Sequence, residues 1–482
     1  MQYQVVLKIL GILLILFSST LLPPLVVSQL FADGAGKPFV ISFLTILVTG
    51  LGLWLPTARV KRDLRFRDGF MVVVLFWTVL AAAGAIPFYL SGAPALSVTD
   101  AFFESMSGLT TTGATVITGL DDLPASIRYY RQQLQWLGGM GIIVLAVAIM
   151  PMLGIGGMQL YRAETPGPMK DTKLTPRITE TAKALWYIYL GLTAACAVSY
   201  WIAGMGWFDA IGHSFSTVAI GGFSTHDLSI GFFNNGLIDF VAVVFMLIAG
   251  INFSLHFVAW RRGTIGVYLR DPEAMVFLAI LLVAVILALV TLYGYALFEG
   301  AEIVRQGVFQ VVSIVTTTGY TTGGYYWWPS FLPLMLLLLS CVGGCAGSTA
   351  GGIKVIRIIL LYKQGRREMV RLVHPSALLS IKLGGKPVPD DVIDAVWAFF
   401  SLYVLSFAVL GLAVAATGTD LVTALSAVAA CLNNLGPGLG AVAENYAALD
   451  SAAKWILTGA MLLGRLELFT LLVLFTATFW RS

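Results

Sequence analysis

Apolar runs of about 20 residues, the length that matches the hydrocarbon core of a bilayer, recur along the whole of this chain and constrain its fold more than any other feature. Only 11% of its residues are charged and 58% are hydrophobic, whereas soluble domains carry roughly 25% charged residues. The chain therefore reads as an all-α polytopic membrane protein. Spanning helices are expected near 4–30, 38–57, 70–90, 130–158, 183–204, 237–262, 273–298, 330–361, 392–416 and 450–480. The run from Val5 to Leu16 has the length of a signal-sequence core, but Pro23 and Pro24 come before any small-residue cleavage site, so it reads as a retained helix. The net charge of +4 is small and its basic residues sit in short loops, which argues against nucleic-acid binding. Cys196, Cys341, Cys345 and Cys431 all lie in apolar or glycine-rich surroundings and suggest no disulfide framework.

Loop charge gives an orientation. The segments Arg59 to Arg67, Arg162 to Lys183, Arg261 to Arg270 and Lys354 to Lys386, with Lys8 and Arg481, hold 23 of the 29 basic residues. The positive-inside rule places those segments and both termini in the cytoplasm. The opposite loops carry 13 acids, among them Glu104, Asp121, Asp209 and Asp227, and five bases, which leaves about −8 to attract cations.

Between the apolar runs, one plan recurs four times. Asp100 to Gly113, Asp209 to Gly222, Gln306 to Gly319 and Thr423 to Gly436 are each too short and too polar to span a bilayer, yet each lies between segments that are long enough. Six residues before the glycines stand Ser107, Ser216, Ser313 and Ala430. The expected architecture is four pseudo-symmetric helix, pore-loop, helix repeats around a central ion pore, preceded by two N-terminal helices. The boundaries are 1–60 for the N-terminal pair and 61–180, 181–270, 271–385 and 386–482 for the repeats. Irregular backbone at membrane depth is tolerated only where protein buries it or it lines water, so four equivalent loops point to one axis. Carbonyls ahead of each glycine would replace the hydration shell of a cation. Half-helices that end at the loops would turn their partially negative C-termini toward it.

The residues themselves carry a resemblance. Thr-Thr-Thr-Gly-Ala at 110–114, Ala-Ile-Gly-Gly-Phe-Ser-Thr at 219–225, Thr-Thr-Thr-Gly-Tyr at 316–320 and Asn-Asn-Leu-Gly-Pro-Gly at 433–438 resemble the membrane subunit of bacterial Trk/Ktr potassium-uptake systems. Gln135 to Ile143 and Gly347 to Lys354 extend the likeness, and the two extra N-terminal helices favour the TrkH type. The resemblance implies potassium as substrate with no organic cofactor, a multi-pass protein of the bacterial inner membrane, a homodimer among membrane lipid, and a cytosolic nucleotide-binding regulatory subunit of the TrkA type. Carried over, it implies a potassium-binding selectivity filter at Thr110, Thr111, Thr112 and Gly113; Ala219, Ile220, Gly221 and Gly222; Thr316, Thr317, Thr318 and Gly319; and Asn433, Asn434, Leu435 and Gly436. Because the second and fourth loops lack the threonine triplet, this filter is not fourfold identical.

Two further features suit a gate. Gly343, Gly344, Gly347, Gly351 and Gly352, followed by Lys354, interrupt an apolar helix, and glycine in a helix interior costs about 1 kcal/mol relative to alanine. In the resembled family this segment is an intramembrane loop that closes the pore; on composition alone it equally suits close helix packing. Arg465, inside the apolar run Gly459 to Phe479, is an expensive charge that marks function by default. It suits a barrier to cations below the filter, as the resemblance implies, or a packing partner for a carbonyl or carboxylate. His213, His226 and His256 lack metal-ligand spacing and read as structural, and Tyr325 to Trp328 read as an interfacial aromatic belt. The competing classes are an integral-membrane enzyme, for which Asp100, Glu104 and Arg465 are the candidate reactive groups, and a non-transport scaffold. Within transport, sodium- or proton-coupled symport competes with a channel.

Overall fold

A computed structural model of the chain describes residues 2–60, 66–144, 178–377 and 379–481. Among these the regular structure is helical except for one short antiparallel hairpin, β1 (Lys382–Leu383) and β2 (Lys386–Pro387). At the N-terminus α1 (Tyr3–Ser19) and α2 (Leu22–Phe31) make one apolar rod of 29 residues, broken where Pro23 and Pro24 start a new helix. Gln133 Nε2 donates to the Thr20 carbonyl freed by that break, at 2.7 Å. α3 (Gly36–Thr57) returns against α1 through glycines: a Cβ on Gly11 would lie 2.7 Å from Trp54 N and 2.8 Å from Gly50 O.

Four helix, half-helix, helix units follow. The first comprises α4 (Phe66–Leu90), α5 (Val98–Leu109) and α6 (Ala125–Val144). In the second are α7 (Ile178–Ile202), α8 (Trp207–Val218), α9 (Gly236–Ala249) and α10 (Phe253–Arg262). The third has α11 (Pro272–Gly294), α12 (Ala301–Val315), α13 (Phe331–Val342) and α14 (Val355–Val373). The fourth has α15 (Asp390–Ala415), α16 (Leu421–Leu432), α17 (Ser451–Arg465) and α18 (Phe469–Leu472). The half-helices α5, α8, α12 and α16 hold 12, 12, 15 and 12 residues. At 1.5 Å per residue each falls well short of a bilayer. Ser97 and Asp420 cap α5 and α16 by accepting from Asp100 N and Thr423 N. One core joins units two and three, and a second joins the N-terminal helices to units one and four.

Among the described residues six helices are long and apolar enough to cross a membrane, or eight if each bent pair is one span. The expected continuous helices 237–262 and 450–480 are both broken. α10 leaves α9 at 95°, because Asn252 starts a new helix by accepting from Ser254 N at 2.7 Å. After α17 the chain bends by 111° through Glu467 and Leu468, both at positive φ, and Glu467 pairs with Arg357 of α14. The expected helix 330–361 is two helices separated by residues 343–354. Of 130–158, the part beyond 144 lies outside the described residues, as do parts of the basic segments 59–67 and 162–183.

Gly11→Val should push α1 off α3 at a cost of about 1–3 kcal/mol and lower thermal stability in detergent. Gly52→Val is the control, since a Cβ there meets nothing within 4 Å, and it should melt like the wild type.

Candidate functional site: a ring of four glycine loops

Each half-helix stops four residues before its glycine, at Leu109, Val218, Val315 and Leu432, and each stops in the same way. The N–H groups of Thr112, Gly221, Thr318 and Leu435 donate to the carbonyls of Ser107, Ser216, Ser313 and Ala430 at 2.8–2.9 Å. Those of Thr111, Ile220, Thr317 and Asn434 donate three residues back, at 3.0–3.2 Å. Together these bonds form a Schellman end, which demands a left-handed residue and normally uses glycine there. Here that residue is Thr111, Ile220, Thr317 or Asn434, with φ between 51° and 62°. A β-branched residue in that region is a true outlier, and such strain is of order 1–3 kcal/mol per site. The position six before each glycine thus acts through its carbonyl, which is why Ala430 serves as well as the three serines.

The glycines close the four ends into a ring. Gly113, Gly222, Gly319 and Gly436 have φ of 83°, 79°, 82° and 98°. A Cβ on Gly113 would lie 2.2 Å from Gly221 O, one on Gly222 2.0 Å from Thr318 O, one on Gly319 2.1 Å from Leu435 O, and one on Gly436 2.7 Å from Thr112 O. Every glycine abuts the carbonyl just before the next unit's glycine, and the cycle returns to its start. All four line one cavity of about 380 Å³, shared with Arg131, His226, Asp227, Tyr326 and Glu444.

Most carbonyls in this ring have no protein donor. Of Thr110 to Gly113, Ala219 to Gly222, Thr316 to Gly319 and Asn433 to Gly436, only three carbonyls accept a hydrogen bond among the described residues. These are Gly221 from Gln135 Nε2 at 2.5 Å, Asn433 from Gly352 N at 3.1 Å, and Gly436 from Tyr446 Oη at 2.7 Å. Buried carbonyls without partners are rare, because leaving one unpaired costs about as much as a lost hydrogen bond. Unpaired carbonyl acceptors gathered from four units are the kind of donor set that replaces a cation's hydration shell.

The side chains of the loops point into the scaffold. Thr110 bonds Thr112 and Thr316 bonds Thr318, through their hydroxyls at 2.7 and 2.8 Å. In the units that lack the triplet, other residues do this work. Gln135 bonds both Gly221 O and Phe223 N in unit two. In unit four Asn433 accepts from Tyr403 Oη at 2.7 Å, and Asn434 donates to Thr112 Oγ1 at 3.0 Å.

Above the ring, Glu104 and Arg131 form a buried ion pair at 2.7 Å. Glu104 also accepts from Thr115 Oγ1 and Val116 N, while Arg131 donates to Ser224 O and stacks on Phe223, tying loop one to loop two. Spacing alone did not show this brace, although an acid on a half-helix signals that a partner is required. The aromatic-belt reading of Tyr325 and Tyr326 is corrected: Tyr325 is buried and donates to Gly438 O at 3.2 Å, and Tyr326 faces the cavity and donates to Glu444. Several acids assigned to this face cap or pair rather than stand free. Asp227 accepts from Gly119 N and Leu120 N, and Asp100 binds Lys454 at 2.8 Å. His226 lies between Asp121, which accepts from its Nδ1, and Asp209, 3.5 Å from its Nε2. His213 and His256 are held by Asp209 O and Ser224 and by Tyr268 and Ile248 O, as structural histidines would be.

On the opposite side of the ring, residues 343–354 run beneath three half-helix ends. Thr349 Oγ1 donates to Val218 O at 3.0 Å, Gly351 N to Thr317 Oγ1 at 2.7 Å, and Gly352 N to Asn433 O. A Cβ on Gly351 would fall 1.9 Å from Asn433 O. Gly343, Gly347 and Gly352 hold positive φ, and Lys354 Nζ donates to Ala350 O. Gly344 approaches Gly250 O, where a Cβ would lie at 2.9 Å. Arg465 fills the remaining side between units four and one. Its Nη2 donates to Gly138 O at 3.0 Å and its guanidinium lies 5.5 Å from the Trp77 ring. Its neighbours Gly464 and Gly138 abut the last half-helix carbonyls, Leu432 O and Leu109 O. Among the described residues no carboxylate pairs with Arg465.

Comparison with known proteins gives one answer. The TrkH family profile, described as a cation transport protein, matches residues 35–482. The chain is 59% identical to the Trk system potassium uptake protein TrkH of Vibrio parahaemolyticus and 55% identical to that of Escherichia coli K12, over the full length of both chains in each pair. It is 43% identical to the Escherichia coli protein TrkG over 99% of each chain. The crystal structure of the potassium transporter TrkH from Vibrio parahaemolyticus superposes over 100% of both chains with a TM-score of 0.93.

His226, in the loop outside the membrane-spanning segments, has a pH signature. Burial disfavours its charge, but Asp209 and Asp121 outweigh that and raise its pKa above the usual 6.5. A raised value contributes stability that is complete below the unfolded pKa and lost as pH rises through the folded one. Thermal stability should therefore fall from about pH 6.5 upward in the wild type and stay flatter in His226→Gln, measured by melting in detergent.

Proposed function

This chain belongs to the TrkH family of cation transport proteins, and from that premise we propose that it carries potassium into a bacterial cell through the axis of the four glycine loops. The observation that carries the reading is the ring itself: buried carbonyls from all four units without donors among the described residues, locked in register by glycines that admit no side chain. Potassium sheds its water against those carbonyls, and the negative ends of four half-helices hold it. Unlike loops in units two and four make this filter less strict than a fourfold identical one.

Below the filter, residues 343–354 and Arg465 act as the gate. The loop is tied to units two, three and four, and the arginine stands between four and one, so together they surround the path. Among the described residues Arg465 has a carbonyl partner and no carboxylate, and its charge opposes a cation at the depth where hydration is not yet restored. The positive-inside bias supports cytoplasmic termini and places the filter mouth outward. Basic helix α14, with Lys363, Arg366, Arg367 and Arg371, supplies a cytoplasmic surface for a nucleotide-binding subunit of the TrkA type. The full-length relatives' place in Trk systems supports that partner, and a homodimer in the inner membrane completes the reading.

The test is flux into proteoliposomes under an imposed potential, comparing potassium, sodium and choline. Gly319→Ser should cut the potassium-over-sodium preference at least tenfold, because its side chain meets Leu435 O and Pro437. Arg465→Ala should raise flux several-fold and leave the preference intact. Wild-type selectivity in the first variant or wild-type flux in the second, at equal expression, would contradict the corresponding role.

A further inference from the structure

The gate loop is held from two sides, and only one of them faces the filter. On the far side stands Glu273, in the first turn of α11 and buried. Its Oε1 accepts from Ala346 N at 2.7 Å and from Ile356 N at 3.1 Å. Ala346 lies within the glycine-rich segment and Ile356 just beyond its C-terminal end, so one carboxylate oxygen ties the body of the loop to the start of α14. Asp271 fixes the turn that carries Glu273 by accepting from Glu273 N and Ala274 N at 3.0 and 2.9 Å. The broken helix of unit two supports the same point. Cys345 N donates to Gly250 O at 2.9 Å and Phe253 N to Gly347 O at 3.0 Å, pairing the loop with the kink between α9 and α10.

The geometry points to Glu273 as the positioning residue of the gate: we propose that its carboxylate holds residues 343–354 closed across the ion path, and that the loop opens by leaving it. This rests on the gate reading above. The physical reason is local. Glycine gives this segment many backbone states, so its closed form depends on external acceptors, and a buried acceptor that holds two N–H groups is costly to remove. Without Glu273 the Ala346 and Ile356 donors are left buried and unpaired, and the loop gains by moving toward water. Because the kink at Gly250 to Asn252 is bonded to the same stretch, a displacement of α10 reaches the loop through Cys345 and Gly347.

Cys345 adjoins the clasped Ala346 and is 1% exposed, which provides a reporter independent of transport. The experiment uses the full chain in proteoliposomes, with Cys196, Cys341 and Cys431 replaced by serine, and follows labelling of Cys345 by a water-soluble maleimide beside potassium and sodium flux. Glu273→Ala should speed labelling at least tenfold and raise basal flux several-fold at an unchanged potassium-to-sodium ratio. Glu273→Gln, which keeps an acceptor oxygen without the charge, should fall between Ala and wild type on both readouts; it also supplies the answer if the alanine variant fails to fold. Wild-type labelling in both variants, or in Gln alone where Ala does not fold, would overturn the proposal. Faster labelling with unchanged flux would uphold Glu273 as the holder of the loop but overturn the loop's role as barrier. Raised flux with wild-type labelling would do the reverse.

Discussion

Four helix ends that stop at the same register, each leaning on the next, are the constraint on which the rest of this structure depends. A half-helix that ends inside a membrane leaves carbonyls without partners, and hydrocarbon offers none. The chain satisfies part of that need internally, through the paired Schellman bonds to Ser107, Ser216, Ser313 and Ala430 and their neighbours. It leaves the remainder as acceptors around one axis. The glycine contacts make the arrangement cooperative, since moving one loop displaces the carbonyl against which its neighbour's glycine rests. Strain at Thr111, Ile220, Thr317 and Asn434 persists only because the surroundings overdetermine it.

The scaffold outside the ring answers to that demand. Units two and four lack the hydroxyl pairs of units one and three, and Gln135, Tyr403 and Asn434 replace them with bonds from other elements. Glu104 and Arg131 lock the outer ends of loops one and two. A buried pair of this kind is weak evidence for stability, since breaking it costs far more than it contributes. Its value here is geometric, because both members also bind loop backbone. On the other side, the breaks at 250–252, 343–354 and 466–468 free the inner helices from continuing as rods and bring Thr349, Gly351 and Arg465 beneath the ring.

Much of this was legible in the amino-acid sequence. Apolar length fixed the class, and the spacing of four glycines in polar stretches located the loops, because only glycine fits where a neighbouring carbonyl comes within 2.0–2.7 Å of a Cβ position. Other features were not legible. Three of the left-handed positions fall on threonine or isoleucine, which no propensity rule assigns there, and only Asn434 is a residue that helix C-termini accept in that conformation. The bend at Asn252 needs only one capping side chain, and apolar composition hides it inside a run that reads as a single helix. Long-range pairs such as Glu104 with Arg131 and Arg357 with Glu467 depend on which faces meet, and period and spacing do not encode that. Tyr325 and Tyr326 carry the same chemistry as an interfacial belt and are set apart only by their hydrogen bonds to Gly438 O and Glu444.

In the proposed filter the unpaired carbonyls of the four loops bind a dehydrated monovalent cation on their common axis. The most direct test of that binding is the anomalous scattering of thallium or rubidium, ions that mimic potassium, in crystals of the protein. Peaks are expected on the axis, bounded by the carbonyls of Thr110 to Gly113, Ala219 to Gly222, Thr316 to Gly319 and Asn433 to Gly436, and lost when excess potassium is restored. Anomalous density elsewhere in the protein with none within this ring would contradict it.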